Sequence, residues 1–193
     1  AAITLGFASC GEEDCNHGGI TNIEETTSLE GSWYNEEMNE EDSYSANGTF
    51  YMKYSNVERS SEDEGRWEFD RANSRLTWTY SFMGQTQFGD WKVKQLSDLT
   101  LTISSDKNAE HTYGKIIKTY QLEVGKTATI DIASEYPDYR VSSYASMNPR
   151  IASVQNDGTI TAVGEKGTTY VKIKTNQGEA WAKVIVGDYC VDL

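Results

Sequence analysis

Strict alternation of apolar and polar residues limits this chain to β structure from residue 48 onward. Phe50, Met52 and Tyr54 share one face of a strand, with Thr49 and Lys53 on the other. Trp67 and Phe69 alternate with Arg66, Glu68 and Asp70, and Leu76, Trp78, Tyr80 and Phe82 alternate with Arg75, Thr77, Thr79 and Ser81. Leu99, Leu101 and Ile103 alternate with threonines. Successive strand side chains point to opposite faces, so these runs describe sheets with one buried face. No helical period of useful length competes. Polar clusters at Asn47-Gly48, Arg71 to Ser74, Gly89-Asp90 and Ser97-Asp98 are read as the turns between strands. The expected fold class is all-β. An antiparallel meander or small barrel of seven or eight strands comes first, and a second set of strands follows: Ala128, Ile130 and Ile132, then Val171 and Ile173. Asn156-Asp157-Gly158 is a tight-turn signal, because these residues tolerate positive φ.

Charge divides the 193 residues in the same way. The net is -13, of which -12 lies up to residue 116 and -1 beyond it. So acidic a first half repels a phosphate backbone, which argues against nucleic-acid binding. Two acidic clusters, Glu36, Glu37, Glu40, Glu41, Asp42 and Glu62, Asp63, Glu64, are expected to be solvated loop charge. They lack the spacing of a calcium loop, so no metal site is expected. His17 and His111 are the only histidines; His111 is expected on an exposed strand position. There is no nucleophile elbow, no phosphate-cradling glycine loop and no dinucleotide fingerprint. The expectation is no catalytic residue, no cofactor and no enzyme.

Five resemblances add to this reading. Residues 1–9, AAITLGFAS, resemble the end of a secretory signal, and Phe7-Ala8-Ser9-Cys10 resembles a lipobox. That likeness implies lipidation at Cys10, an outer-membrane anchor and a tether over residues 10–28. The acidic Gly11-Glu12-Glu13-Asp14 resembles the surface-export signal of lipoproteins from certain Gram-negative anaerobes, which implies a position facing the cell exterior. Cys15 and Cys190 are expected to stay unpaired.

Leu29-Glu30-Gly31-Ser32-Trp33 resembles the opening of lipocalin-like domains, and Glu64 to Phe69 and Trp91 to Leu101 resemble their later strands. A lipocalin-like domain is therefore expected over 29–117, with Trp33, Trp67, Trp78 and Trp91 filling its interior rather than lining a pocket. Leu122 to Ile132, Ser146 to Val154, Asp157 to Val163, Gly167-Thr168 and Ala182 to Val186 closely resemble the bacterial immunoglobulin-like group 2 domain. This implies an immunoglobulin-like β-sandwich over 118–187, with Tyr144 where that family usually has a core Trp, and a tail over 188–193.

Along the last strand, Ala180, Ala182, Val184 and Val186 form the core set by family pattern. That parity puts Trp181 and Ile185 on the opposite face, which makes them the candidate interface, covered by the first domain or by another protein. The functional expectation is a non-catalytic cell-surface lipoprotein that docks on an outer-membrane protein assembly. A carrier of a small apolar molecule or glycan fragment, and a surface adhesin, are the alternatives.

Overall fold

The computed structural model describes residues 22–23, 27–54, 65–82, 84–106 and 109–187. Cys10, Cys15, His17, Cys190, the first 21 residues and the acidic triplet Glu62 to Glu64 lie outside the described residues. Among the described residues there is no helix.

Eight strands close on themselves: β2 (Gly31–Asn35), β3 (Glu40–Tyr44), β4 (Thr49–Tyr54), β5 (Gly65–Asp70), β6 (Arg75–Phe82), β7 (Gln85–Leu96), β8 (Thr100–Ser104) and β9 (Glu110–Leu122). Each pairs antiparallel with the next, and β9 returns to β2 through Trp33↔Lys115 and Tyr34↔Gly114. The result is an eight-stranded antiparallel barrel. A short β1 (Asn22–Ile23) adds to β7 in parallel. Trp33, Tyr44, Phe50, Leu76, Trp78, Val93, Leu96, Leu101 and Ile103 form the barrel core. Along β6 and β8 they alternate as the sequence pattern requires, while Val93 and Leu96, three residues apart, flank a register shift in β7. Phe50 and Trp78 stack with ring centroids 5.3 Å apart. Of the four barrel tryptophans, Trp33 and Trp78 are buried, while Trp67 and Trp91 are half-buried at its edge.

The remaining strands are β10 (Thr127–Thr129), β11 (Val141–Ser146), β12 (Ala152–Val154), β13 (Thr159–Ala162), β14 (Gly167–Thr175) and β15 (Gly178–Val186). β15 pairs in parallel with the second half of β9, from Lys115 to Leu122, and β14 and β11 extend that sheet. β10, β13 and β12 make a separate three-stranded sheet. Ile160 and Ala162 on the second sheet, with Ile130 and Ile151 just outside its strands, share one apolar core with Val171, Ile173, Ala180, Ala182, Val184 and Val186 on the first. Tyr144 is half-buried against this core. The turn at 156–158 is present, with Gly158 at φ 84° between β12 and β13.

The strand β9 runs through residue 117 unbroken, so both cores hang on one thirteen-residue strand. Its first half closes the barrel and its second half begins the other sheet.

Three expectations are corrected. Gly89-Asp90 is not a turn but the middle of β7; the chain reverses at Gly84, with φ 73°. Gly89 lies directly opposite Trp78, and a Cβ there would sit 2.2 Å from the indole. The glycine answers to ring packing, not to a reversal. Glu40, Glu41 and Asp42 are not solvated loop charge. They form β3, with 2%, 8% and 1% of their surface exposed. Glu40 and Asp42 share the parity of Tyr44 and point into the barrel, whereas Glu41 points out and is covered by the second core's sheet. His111 is not an exposed strand residue either. It is half-buried, edge-on to Trp91 at 5.5 Å.

Candidate functional site

Where β15 joins β9, Trp181 lies across the outer wall of the barrel. Only 2% of it is exposed. It packs with Tyr34, Ile116 and Tyr170. The Tyr34 and Tyr170 rings stack 3.9 Å apart, and Trp181 meets Tyr34 edge-on at 4.8 Å. The wall beneath the indole is Gly114, where a Cβ would fall 2.6 Å from Nε1 of Trp181 and 2.8 Å from the Glu179 carbonyl oxygen. Of the two residues expected at an interface, Trp181 is thus covered by the barrel, and Ile185 is half-buried farther along the same face.

Charge locks the same contact. Lys183 donates to both Glu41 carboxylate oxygens, at 2.9 and 2.7 Å, and the Tyr170 hydroxyl donates to Oε2 at 2.6 Å. Lys172 donates to Glu36, approaches Glu179 at 3.4 Å, and sits 5.2 Å over the Trp181 ring. Burial, with help from Glu36 and Glu41, raises the Tyr34 phenol to about 12. Burial, then the Glu41 charge, pushes Tyr170 well above the ordinary phenol value. For Lys172, burial pulls the ammonium down but is outweighed by Glu36 and Glu179, and the net shift is upward.

The Glu41–Lys183 side chains are only 10% and 15% exposed, so either partner alone is poorly hydrated. Lys183→Met should therefore destabilise the chain by about 1–2 kcal/mol, because the poorly hydrated Glu41 loses its two hydrogen bonds from the ammonium. Adding Glu41→Gln, which still accepts from Tyr170, should recover most of that loss in urea unfolding. A single-variant loss below about 0.3 kcal/mol would reduce the pair to an ordinary surface contact.

Beside the junction opens a cleft of about 480 Å³ whose lining includes Glu36, Glu37, Glu110 and Glu179 together with Tyr34 and Trp181. A lining of carboxylates and aromatic rings suits cations and hydroxyl groups and repels anions. Among the described residues no three His, Cys, Asp or Glu side chains converge as a metal ion would require.

A second polar constellation lies inside the barrel. Tyr113 donates to Oε1 of Glu40 at 2.8 Å, and Tyr44 donates to Oδ2 of Asp42 at 3.1 Å. Burial, then the adjacent carboxylates, holds both phenols far above their ordinary value. Oε2 of Glu40 and Nε1 of Trp91 accept and donate no hydrogen bond among the described residues. The alternation of Glu40, Asp42 and Tyr44 was the signal for this cluster. It was masked by the apparent continuity of an acidic run.

No protein-family model matches the chain, and no curated protein matches it.

Proposed function

We propose that the protein is a non-catalytic lipoprotein, anchored in the outer membrane at Cys10 and facing the cell exterior, that serves as an accessory docking module of an outer-membrane protein assembly. One observation carries the choice of docking over apolar carriage. The barrel interior holds its own bulky side chains, Trp33, Phe50, Leu76 and Trp78 among them, together with the carboxylates of Glu40 and Asp42. Apolar cargo in that space would have to displace packed aromatics and break the tyrosine hydrogen bonds of Glu40 and Asp42, and both steps oppose binding.

The domain reading supports the same role. A closed eight-stranded barrel, with Trp33 donating to the Leu29 carbonyl at 2.8 Å, favours the lipocalin-like assignment of 29–117. Two layers around one core favour the immunoglobulin-like sandwich for 118–187. The two units share β9 and a buried junction, which suits a rigid body that presents surfaces to a partner. A surface adhesin would present them equally well, and partner identity separates the two.

The test measures cargo and partner together. The full chain, titrated with a fluorescent fatty-acid probe, should show no saturable binding and no tryptophan quenching. The lipid-anchored protein, purified from detergent-solubilised outer membranes, should elute with a membrane protein in fixed stoichiometry. Stoichiometric probe binding would replace docking by carriage, and elution alone would remove the assembly.

A further inference from the structure

The hairpin of β6 and β7 combines two properties. First, no charged residue occurs between Arg75 and Asp90, the longest uncharged stretch in a sequence of net charge -13. Second, β7 outruns its neighbour. β8 pairs with it only from Lys92 to Leu96, so that among the described residues the side of β7 away from β6 has no strand partner from Gln85 to Trp91. Sheet edges are ordinarily guarded by charge, proline or a bulge. Gln85-Thr86-Gln87-Phe88-Gly89 has no charge and no proline, and the register shift in β7 comes later, between Val93 and Gln95. Phe88 faces away from the core, since its neighbour Gly89 lies under Trp78, and it is 62% exposed, the most exposed of the large apolar side chains among the described residues.

We infer that this edge is a homodimerisation surface, on which β7 of one copy adds antiparallel to β7 of a second. Three features favour a second copy over another occupant. An antiparallel pairing of one edge with itself obeys a two-fold axis, so a single surface serves both partners. Two copies of a strongly acidic chain repel over most orientations, and along this uncharged hairpin they approach without facing like charges. The geometry also covers the phenylalanine. With the axis at Gln87, Gln85 pairs with Gly89 and Thr86 with Phe88 of the other copy. The two Phe88 rings then lie diagonally on one face, within reach of each other. Asp90 falls outside the paired segment at both ends. The contact is small, so the dimer is weak, with a dissociation constant on the order of 10–100 µM.

Sedimentation velocity on the full chain, from about 5 to 500 µM, reads this directly. A monomer–dimer equilibrium is expected, and Phe88→Asp, which places two carboxylates on the axis face, should weaken it by about tenfold or more. Val163→Asp removes another exposed apolar side chain, 50% exposed on the second core's surface, and should leave the equilibrium unchanged. Circular dichroism of Phe88→Asp should match the parent, because the side chain is outside the core. A chain that stays monomeric at the highest concentration overturns the inference, as does a dimer that Phe88→Asp does not weaken.

Discussion

Replacing Gly114 by valine should destabilise the protein by about 3 kcal/mol, lower its melting temperature by about 6–12 °C, and split one unfolding transition into two. The position tolerates no Cβ. The added atom would lie 2.7 Å from Cδ1 of Trp181 and 2.8 Å from the backbone oxygen of Glu179, and the backbone cannot rotate away as a long side chain can. Either Trp181 leaves the barrel wall, losing Tyr34 and Tyr170, or β15 peels from β9. Both routes weaken the junction between two cores that are joined by the shared strand β9, this aromatic cluster and the ion pairs of Lys183 with Glu41 and Lys172 with Glu36. Gly164→Ala is the control, because a Cβ there meets nothing within 4 Å. Differential scanning calorimetry distinguishes the outcomes. A Gly114→Val protein that melts within a degree or so of the parent, in one peak, would mean that the junction carries little of the stability.

How far the sequence discloses this arrangement depends on what each residue answers to. Residues that answer to their own strand were legible. Phe50, Leu76, Trp78, Leu101 and Ile103 are all in the barrel core, and Ala180, Ala182, Val184 and Val186 are in the second core, because period two needs only a local pattern. Residues that answer to a distant partner were not. Gly89 reads as a turn until Trp78, paired across from it, is seen to occupy the missing Cβ position. Gly114 carries no local signal for the same reason: its partner is 67 residues away in sequence, at Trp181. The run Glu40-Glu41-Asp42 misleads differently. Adjacent acids imply solvent, yet alternation sends Glu40 and Asp42 to tyrosines inside the barrel and Glu41 to Lys183 and Tyr170 outside it. Hydrophobicity reading treats all three alike, since it scores residues and not their partners. The junction site was half legible: parity marked Trp181 as outward and in need of cover, but nothing local named Tyr34 as the cover.

The same tyrosines make the fold vulnerable to alkali, and a cooperative collapse is expected between about pH 11 and 12.5. Tyr34, Tyr44, Tyr113 and Tyr170 are all buried, and each is held above the ordinary phenol value by burial first and by neighbouring carboxylates second. In the unfolded chain they titrate near pH 10. Below that pH both states hold the protons and the fold keeps its full stability. Above it the unfolded chain releases protons that the native chain retains, so stability falls with rising pH, by about 1.4 kcal/mol per pH unit for each such phenol. Four of them acting together remove about 5–6 kcal/mol per unit, enough to exhaust the stability of an ordinary domain within about two units. Tyrosinate absorbance should therefore rise late and steeply, in step with the loss of the β signal in far-ultraviolet circular dichroism. Tyr34, raised only to about 12, is the phenol nearest to ionising within the fold. Tyr34→Phe should make the collapse shallower and move its midpoint upward relative to the variant's own stability at neutral pH. A smooth titration centred near pH 10 with the β signal intact would show that these phenols exchange protons freely with solvent, and the buried tyrosine–carboxylate pairs would then not be a feature of the folded chain.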